Sequence, residues 1–232
     1  MIFGGLQELT LIDYPGKIAA TVFTIGCNFR CYYCHNPELV LPEKIKTTKT
    51  LSEEDILNFL KGRQGLLQGL CITGGEPTLD NCLLDFIKQV KALNFLVKLD
   101  TNGSNSEVLK NLLENKLLDY IAMDIKAPLA KYATVVGAEI NPNHIQESIK
   151  LIRQSGLEYE FRTTVAPGLT TQDILDIVPL IEGADNYYLQ VFHDNGKCLK
   201  DVRYFGRSLT AEELMLLKEK LVEHFMYVAV RE

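Results

Sequence analysis

The chain is 232 residues long, 47% hydrophobic and 23% charged, with 24 Lys and Arg against 30 Asp and Glu and a formal net charge of −6. Such a chain can bury one sizeable core, is too apolar to be disordered, and with six Cys is not a small disulfide-stapled scaffold. No basic stripe offsets the acidic balance, so electrostatic attraction to nucleic acid is not expected.

The longest uncharged apolar stretch, residues 18–29, holds Thr21, Thr24, Gly26 and Asn28 and falls short of the ~18–20 residues of a membrane span. No basic region precedes an apolar run near the start, the first Lys being Lys17. A cytoplasmic, reducing location is therefore expected, with no membrane partner. In that setting clustered cysteines serve as metal ligands or redox groups rather than disulfides. No repeat, low-complexity tract or linker divides residues 1–232, which read as a single domain.

In chain order, a short strand at 9–12 is expected to pair with one at 19–23 across the turn Asp13-Tyr14-Pro15-Gly16, forming a β extension over about residues 1–17. A helix then starts at Ser52, whose side chain can accept from the Asp55 N–H, with Leu51 and Ile56 at the staple positions. A strand at 70–73 follows. Asp80 is expected to cap a helix whose apolar face is Leu83, Leu84, Phe86, Ile87 and Val90. Next come a strand at 96–101, a helix near 106–115, a strand at 120–124, a helix near 144–155 and a strand at 160–165. Thr170 with Asp173 repeats the capping device, a strand follows at 187–192, and Thr210 with Glu213 opens a C-terminal helix over about 210–226. Strands alternating with helices indicate a parallel α/β fold. A doubly wound sheet and an open or closed barrel both satisfy this pattern, and both gather functional groups at the C-terminal ends of the strands.

Those strand ends carry the chemistry. After the strand at 19–23 comes Gly26-Cys27-Asn28-Phe29-Arg30-Cys31-Tyr32-Tyr33-Cys34-His35-Asn36-Pro37, with cysteines at spacing CxxxCxxC. A loop that folds back can aim three thiolates at one soft centre: zinc, copper(I) or iron–sulfur. Structural zinc usually takes four protein ligands. No second pair exists here; Cys71, Cys82 and Cys198 are isolated and read as small hydrophobes, and His35 directly adjoins Cys34. An iron–sulfur cluster on three cysteines keeps one iron open for a non-protein ligand. The next strand ends in Gly74-Gly75-Glu76-Pro77, where paired glycines allow close backbone approach beside a carboxylate. The following two end in Asp100-Thr101-Asn102-Gly103 and Asp124-Ile125-Lys126. Residues two apart on a strand share a face, so Asp124 and Lys126 can point the same way. Arg162 stands in a β-rich run, where its charge needs a carboxylate partner, and His193 ends the last expected strand.

The CxxxCxxC loop, with an aromatic before its third Cys, resembles the signature of the radical S-adenosylmethionine (SAM) enzymes. The GGEP box resembles that family's site for the SAM amino group, the DTNG and DIK boxes resemble those of the branch that activates glycyl radical enzymes, and together the motifs cover most of the chain, from Cys27 to His193. The resemblance implies a partial (β/α)6 barrel. It implies that Cys27, Cys31 and Cys34 hold a [4Fe–4S] cluster whose open iron chelates the amino and carboxylate groups of SAM. Tyr33 and His35 would lie beside SAM, with Tyr33 against the adenine. Gly74, Gly75, Glu76 and Pro77 would meet its amino group. Asn102, Lys126 and Arg162 would support it, and His193 would reach its ribose. Asp100 and Asp124 would hold a monovalent cation near its carboxylate.

The implied reaction is reductive cleavage of SAM to a 5′-deoxyadenosyl radical that installs a glycyl radical on a partner enzyme. The external electron donor would be a flavodoxin or ferredoxin. The opening residues, Gly5-Leu6-Gln7 through Lys17, are similar to those of members acting on anaerobic ribonucleoside-triphosphate reductase, which is the partner implied. Two other readings stand beside it. One is a radical SAM enzyme with a small-molecule substrate, of the 7-carboxy-7-deazaguanine synthase kind. The other is a non-catalytic zinc or iron–sulfur module.

Overall fold

The computed structural model describes residues 1–231. The chain is shared between two units. The first comprises Met1–Asn28, Asn36–Thr101 and Asn105–Ile121; the second comprises Phe29–His35, Asn102–Ser104 and the described chain from Ala122 onward.

The first unit contains β1 (Ile2–Thr10), β2 (Ala19–Thr24), α1 (Pro37–Val40), α2 (Pro42–Ile45), β3 (Leu51–Ser52), α3 (Glu53–Lys61), β4 (Gly69–Gly74), α4 (Leu83–Ala92), β5 (Leu96–Thr101) and α5 (Ser106–Glu114). Its strands run in the order β3-β1-β2-β4-β5. β1 is antiparallel to β2 and β3, whereas β2, β4 and β5 are parallel. The register Thr24↔Gly74 brings the C-terminal ends of β2 and β4 level. The helix starts follow side-chain chemistry. Ser52 Oγ accepts from the Asp55 N–H at 3.1 Å while Asp55 Oδ2 accepts from the Ser52 N–H at 2.8 Å, closing the expected capping box of α3. In α4, Leu83, Phe86, Ile87 and Val90 recur at helical spacing and are all fully buried.

Two local elements differ from the expectation. The first strand is Ile2–Thr10, not 9–12, because Thr10 Oγ1 accepts from the N–H groups of Ile12 and Asp13 and turns the chain. Leu11 and Ile12 therefore lie at an exposed tip. Asp80 does not cap α4: its carboxylate accepts from the Cys82 N–H at 2.8 Å, shaping the turn one step earlier, and Cys82 takes the N-cap position.

β6 (Tyr120–Asp124) has its first two residues in the first unit and the remainder in the second. The second unit then contains α6 (Leu129–Val136), α7 (Pro142–Gln154), β7 (Glu158–Val165), α8 (Thr171–Leu175), α9 (Val178–Ile181), β8 (Asn186–Val191), α10 (Ala211–Leu221) and β9 (Tyr227–Arg231). β7, β8 and β9 are adjacent and parallel. The capping boxes expected at Thr170/Asp173 and Thr210/Glu213 both form. α10 stops at Leu221, short of the expected 226, and Phe225 is buried beyond its end. α6 and β9 lie outside the expected elements; β9 is a five-residue strand in which Val228 is buried. The register places Arg162, Tyr188 and Ala229 abreast on the three strands.

Candidate active site

In the first unit the motif glycines are where backbone meets backbone. The Gly75 N–H donates to Thr24 O and the Glu76 N–H to Gly26 O, both at 2.8 Å, and the Gly26 N–H donates to Leu39 O at 2.7 Å. A Cβ on Gly75 would stand 1.9 Å from Gly26 O, so no side chain fits there. The GGE segment is thereby sewn to the turn that leads into Cys27. Glu76 is buried, and its Oε1 accepts from Thr78 Oγ1 at 2.6 Å and from Thr101 Oγ1, at the end of β5, at 2.7 Å. Pro77 opens the short turn of 3-10 helix that follows and is also buried. Asp100, near the end of β5, receives a short charge-assisted hydrogen bond from the ammonium of Lys98. Lys98 is 1% exposed; its Nζ lies 3.9 Å from Cys71 Sγ and 5.7 Å from the centre of the Tyr120 ring.

In the second unit the segment Phe29–His35 is pinned along its length. The Arg30 N–H donates to Val136 O at 2.7 Å, the Lys200 N–H to Tyr32 O at 3.0 Å, and the Leu199 N–H to Cys34 O at 3.1 Å. Tyr32 stacks on Phe205 with ring centres 3.9 Å apart and donates its hydroxyl to Pro167 O at 2.6 Å. Burial pushes the Tyr32 phenol up to about 12. Tyr33 and His35 differ. Tyr33 Oη and His35 Nε2 are buried with no hydrogen-bond partner among the described residues. Buried polar atoms of this kind normally find partners, so each of the two is placed to receive a polar group. Burial drives the Tyr33 phenol well above its ordinary value, against the pull of Lys126.

A row of alternating charge crosses β9, β7 and the end of β6. Arg231 grips Glu160 with two nitrogens at 3.0 and 2.9 Å and lies over the Tyr188 ring at 3.2 Å. Glu160 Oε1 is 3.7 Å from Arg162 Nη1, and Arg162 Nε donates to Asp124 Oδ1 at 2.8 Å. Lys126 Nζ donates to Asp124 Oδ2 at 2.8 Å. Burial alone would raise the Asp124 carboxyl, but Arg162 and Lys126 outweigh it and hold it far below the usual carboxylate range. Burial likewise opposes the Lys126 charge, yet Asp124 keeps its pKa well above the ordinary lysine value. Asn102 is buried and accepts from the Ser104 N–H at 2.9 Å. His193 lies exposed on the segment after β8.

The expected site residues thus divide between the units. Cys27, Gly74, Gly75, Glu76, Pro77 and Asp100 belong to the first; Cys31, Tyr33, Cys34, His35, Asn102, Asp124, Lys126, Arg162 and His193 belong to the second. Within the second, Cys31, Lys126 and Asp124 all act on the Tyr33 phenol. Sequence reasoning missed Lys98, Glu160 and Arg231. Charges at 160 and 162, two apart on one strand, were the available signal for Glu160. All six cysteines are thiols: Cys31 and Cys71 buried, Cys27, Cys34 and Cys198 half-buried. Cys82 is exposed at the start of α4, not a buried small hydrophobe.

Among the described residues no three Cys, His, Asp or Glu side chains converge on a single-ion position. A four-iron cluster takes each thiolate on a separate iron, so its ligands stand apart. Three cysteines close together in sequence suit a thiolate-held cluster, and Cys31 and Cys34 share the second unit with the unpartnered Tyr33 and His35 atoms, which suit a polar ligand. Asp100 and Asp124 do not suit a bound metal cation, since protein cations already occupy each carboxylate.

Residues 21–181 match the Radical SAM superfamily, and the chain belongs to that superfamily. It is 36% identical over 198 residues to a Methanocaldococcus jannaschii protein named as a glycyl-radical enzyme activating enzyme, covering 82% of this chain and 80% of that one. A pyruvate formate-lyase-activating enzyme of Clostridium pasteurianum is 25% identical over 202 residues, 82% of each chain. Within the superfamily the chain falls in the glycyl-radical-enzyme activating branch, and it is an enzyme. Streptococcus suis SuiB bound to S-adenosylmethionine shares its fold with a TM-score of 0.66 at 14% identity, over 90% of this chain and 49% of that one. The chain spans about half the length of that solved structure. The fold is the mixed α/β fold of this superfamily, whose members use a [4Fe–4S] cluster and SAM. No helix among the described residues is long and apolar enough to cross a membrane.

Proposed function

We propose that this enzyme activates a glycyl radical enzyme, and that its partner is anaerobic ribonucleoside-triphosphate reductase. The archaeal relative at 36% identity, matched over 82% of this chain, is the observation that carries the reading. The His35-Asn36-Pro37 sequence after the third cysteine supports an activase over a small-molecule enzyme, and the Gly5–Lys17 opening supports the choice of partner. Residues 1–232 would act as one radical SAM domain with an N-terminal β extension and a C-terminal helix, in the cytoplasm, where thiols stay reduced.

Cys27, Cys31 and Cys34 would hold the cluster. Gly74 and Gly75 would offer backbone to SAM, with Glu76 and Pro77 fixing that segment from behind. Tyr33 and His35 would receive SAM at their unpartnered buried atoms. Lys126, made strongly cationic by Asp124, would meet its carboxylate, Arg162 would hold Asp124 in place, and Asn102 would lie beside the ribose. His193, being exposed, would reach a ligand only from the solvent side. When bound, cluster and SAM together supply the one-electron cleavage of a carbon–sulfur bond and the removal of a hydrogen atom from a glycine α-carbon, with a flavodoxin or ferredoxin as electron source. The chain's own residues position the ligand, balance its charge and exclude water. The partner would dock on the strand-end face that carries residues 27–37.

The test is anaerobic reconstitution, then reduction with SAM and anaerobic ribonucleotide reductase. The expected result is a glycyl radical signal on the reductase, lost in Cys31→Ala together with SAM cleavage. SAM cleavage without a glycyl radical would move the substrate to another protein or a small molecule. One bound zinc and no SAM-dependent change in the cluster spectrum would overturn the enzymatic reading of the loop.

A further inference from the structure

We infer that the positive charge opposite Asp100 is supplied by Lys98, so that this chain needs no alkali-metal cation at that carboxylate. The role of Asp100 beside SAM rests on the function proposed above; the ion pair itself does not.

Lys98 and Asp100 are two apart on β5 and share a face. The Lys98 side chain is 2% exposed and that of Asp100 13%. An ammonium so withdrawn from water requires a carboxylate partner, and Asp100 is bonded to it directly. The pair is fixed by packing as well, because Cys71, the register partner of Lys98 on β4, and the Tyr120 ring flank the ammonium. A sodium or potassium ion on Asp100 would have to sit a few ångström from that ammonium, where like charges in a low-dielectric surround repel strongly. It could not push the ammonium aside into water, because Lys98 is buried. In the second unit Asp124 is treated the same way by Lys126 and Arg162, each at 2.8 Å. Counted along the whole row, two carboxylates, Asp124 and Glu160, face three cations, Lys126, Arg162 and Arg231, a formal charge of +1 that repels a further cation and favours an anionic ligand group. Both carboxylates therefore carry protein-borne counter-charge: Lys98 at Asp100 Oδ1, and Arg162 and Lys126 at the two oxygens of Asp124.

The substitution of side chain for ion makes the chain's requirement measurable without any turnover. The melting temperature is read in sodium, potassium and choline chloride at equal ionic strength, with ²³Na line widths alongside. The wild-type chain is expected to melt within about 1 °C across the three salts, since an ion that binds only the native state would raise it. Lys98→Met leaves Asp100 buried without its charge. It is expected to melt lower in choline and to recover at least about half of that loss in sodium or potassium, a recovery absent when Asp100→Asn is added. Affinity for SAM in the wild type should agree within about twofold between choline and potassium. A wild-type melting rise or sodium broadening that Asp100→Asn abolishes would overturn the inference. So would a folded Lys98→Met indifferent to the three salts. If Lys98→Met does not fold, Lys98→Gln and the wild-type sodium measurement decide. A chain that ignores alkali ions yet binds no SAM would overturn the proposed function and leave this inference standing.

Discussion

Glu160→Gln isolates the electrostatic row of the second unit. The Glu160 side chain is 1% exposed and faces two guanidinium groups, Arg231 at 2.9 and 3.0 Å and Arg162 at 3.7 Å. The amide keeps the shape and removes the charge. Breaking a fully buried ion pair typically costs ~3–5 kcal/mol. Two features reduce that figure here. Arg231 is 36% exposed and regains water, and Arg162 keeps Asp124 at 2.8 Å. The expected loss is about 2–3 kcal/mol, or roughly 4–12 °C in melting temperature for a chain of this size. Urea unfolding under anaerobic conditions measures it, with an unchanged denaturant slope as the sign that the native and unfolded states keep their compactness. Arg231→Met should cost less, about 1–2 kcal/mol, because Glu160 then retains Arg162. A Glu160→Gln loss below about 0.5 kcal/mol, the level of an ordinary surface substitution, would refute the claim that this carboxylate holds the two arginines.

Gly75→Ala should destabilise the first unit by about 2 kcal/mol or more, since its Cβ would meet Gly26 O at 1.9 Å and backbone must move to admit it; the same urea assay reads this. Tyr32 should ionise late, near pH 12, because burial raises its phenol. The folded chain then holds that proton longer than the unfolded chain, so the stability it confers is whole below about pH 10 and lost as pH rises towards 12. In an ultraviolet titration Tyr32→Phe should remove one late phenolate; an unchanged high-pH limb would contradict the burial argument. Under a thiol reagent, exposed Cys82 should react first and fully buried Cys71 last. Cys82→Ser should delete the fast phase, and a fast phase that persists would place the reactive thiol elsewhere.

Local chemistry explains which parts of the chain were legible. The boxes at Ser52, Thr170 and Thr210 all formed because capping is decided within four residues. The strand at Tyr120–Asp124 has the expected bounds, and the reasoning that Arg162 must meet a carboxylate is met by Asp124. What was lost depended on distant partners. Leu11 and Ile12 look like strand residues, but a threonine hydroxyl decided otherwise. Asp80 looks like a helix cap, yet it serves the preceding turn. Glu160 lies within an expected strand, but its direct hydrogen-bonded partner is Arg231, some seventy residues later on a strand too short to stand out. Lys98 adjoins an expected site box, and its burial comes from neighbouring strands.

The segment after β8 has a constraint that its surface position conceals. Residues 193–197 are exposed, and exposed loops commonly drift in length between relatives. The next residues are not free to drift, because the N–H groups of Leu199 and Lys200 are bonded to the carbonyls of Cys34 and Tyr32. A library of single-residue insertions along this stretch should therefore divide sharply. Insertions at the tip around Asn195 and Gly196 would leave the cysteine loop its shape, while one placed between Leu199 and Lys200 would break the paired spacing and be eliminated. Freedom to vary in this enzyme is thus set, residue by residue, by which backbone groups the cysteine loop has already claimed.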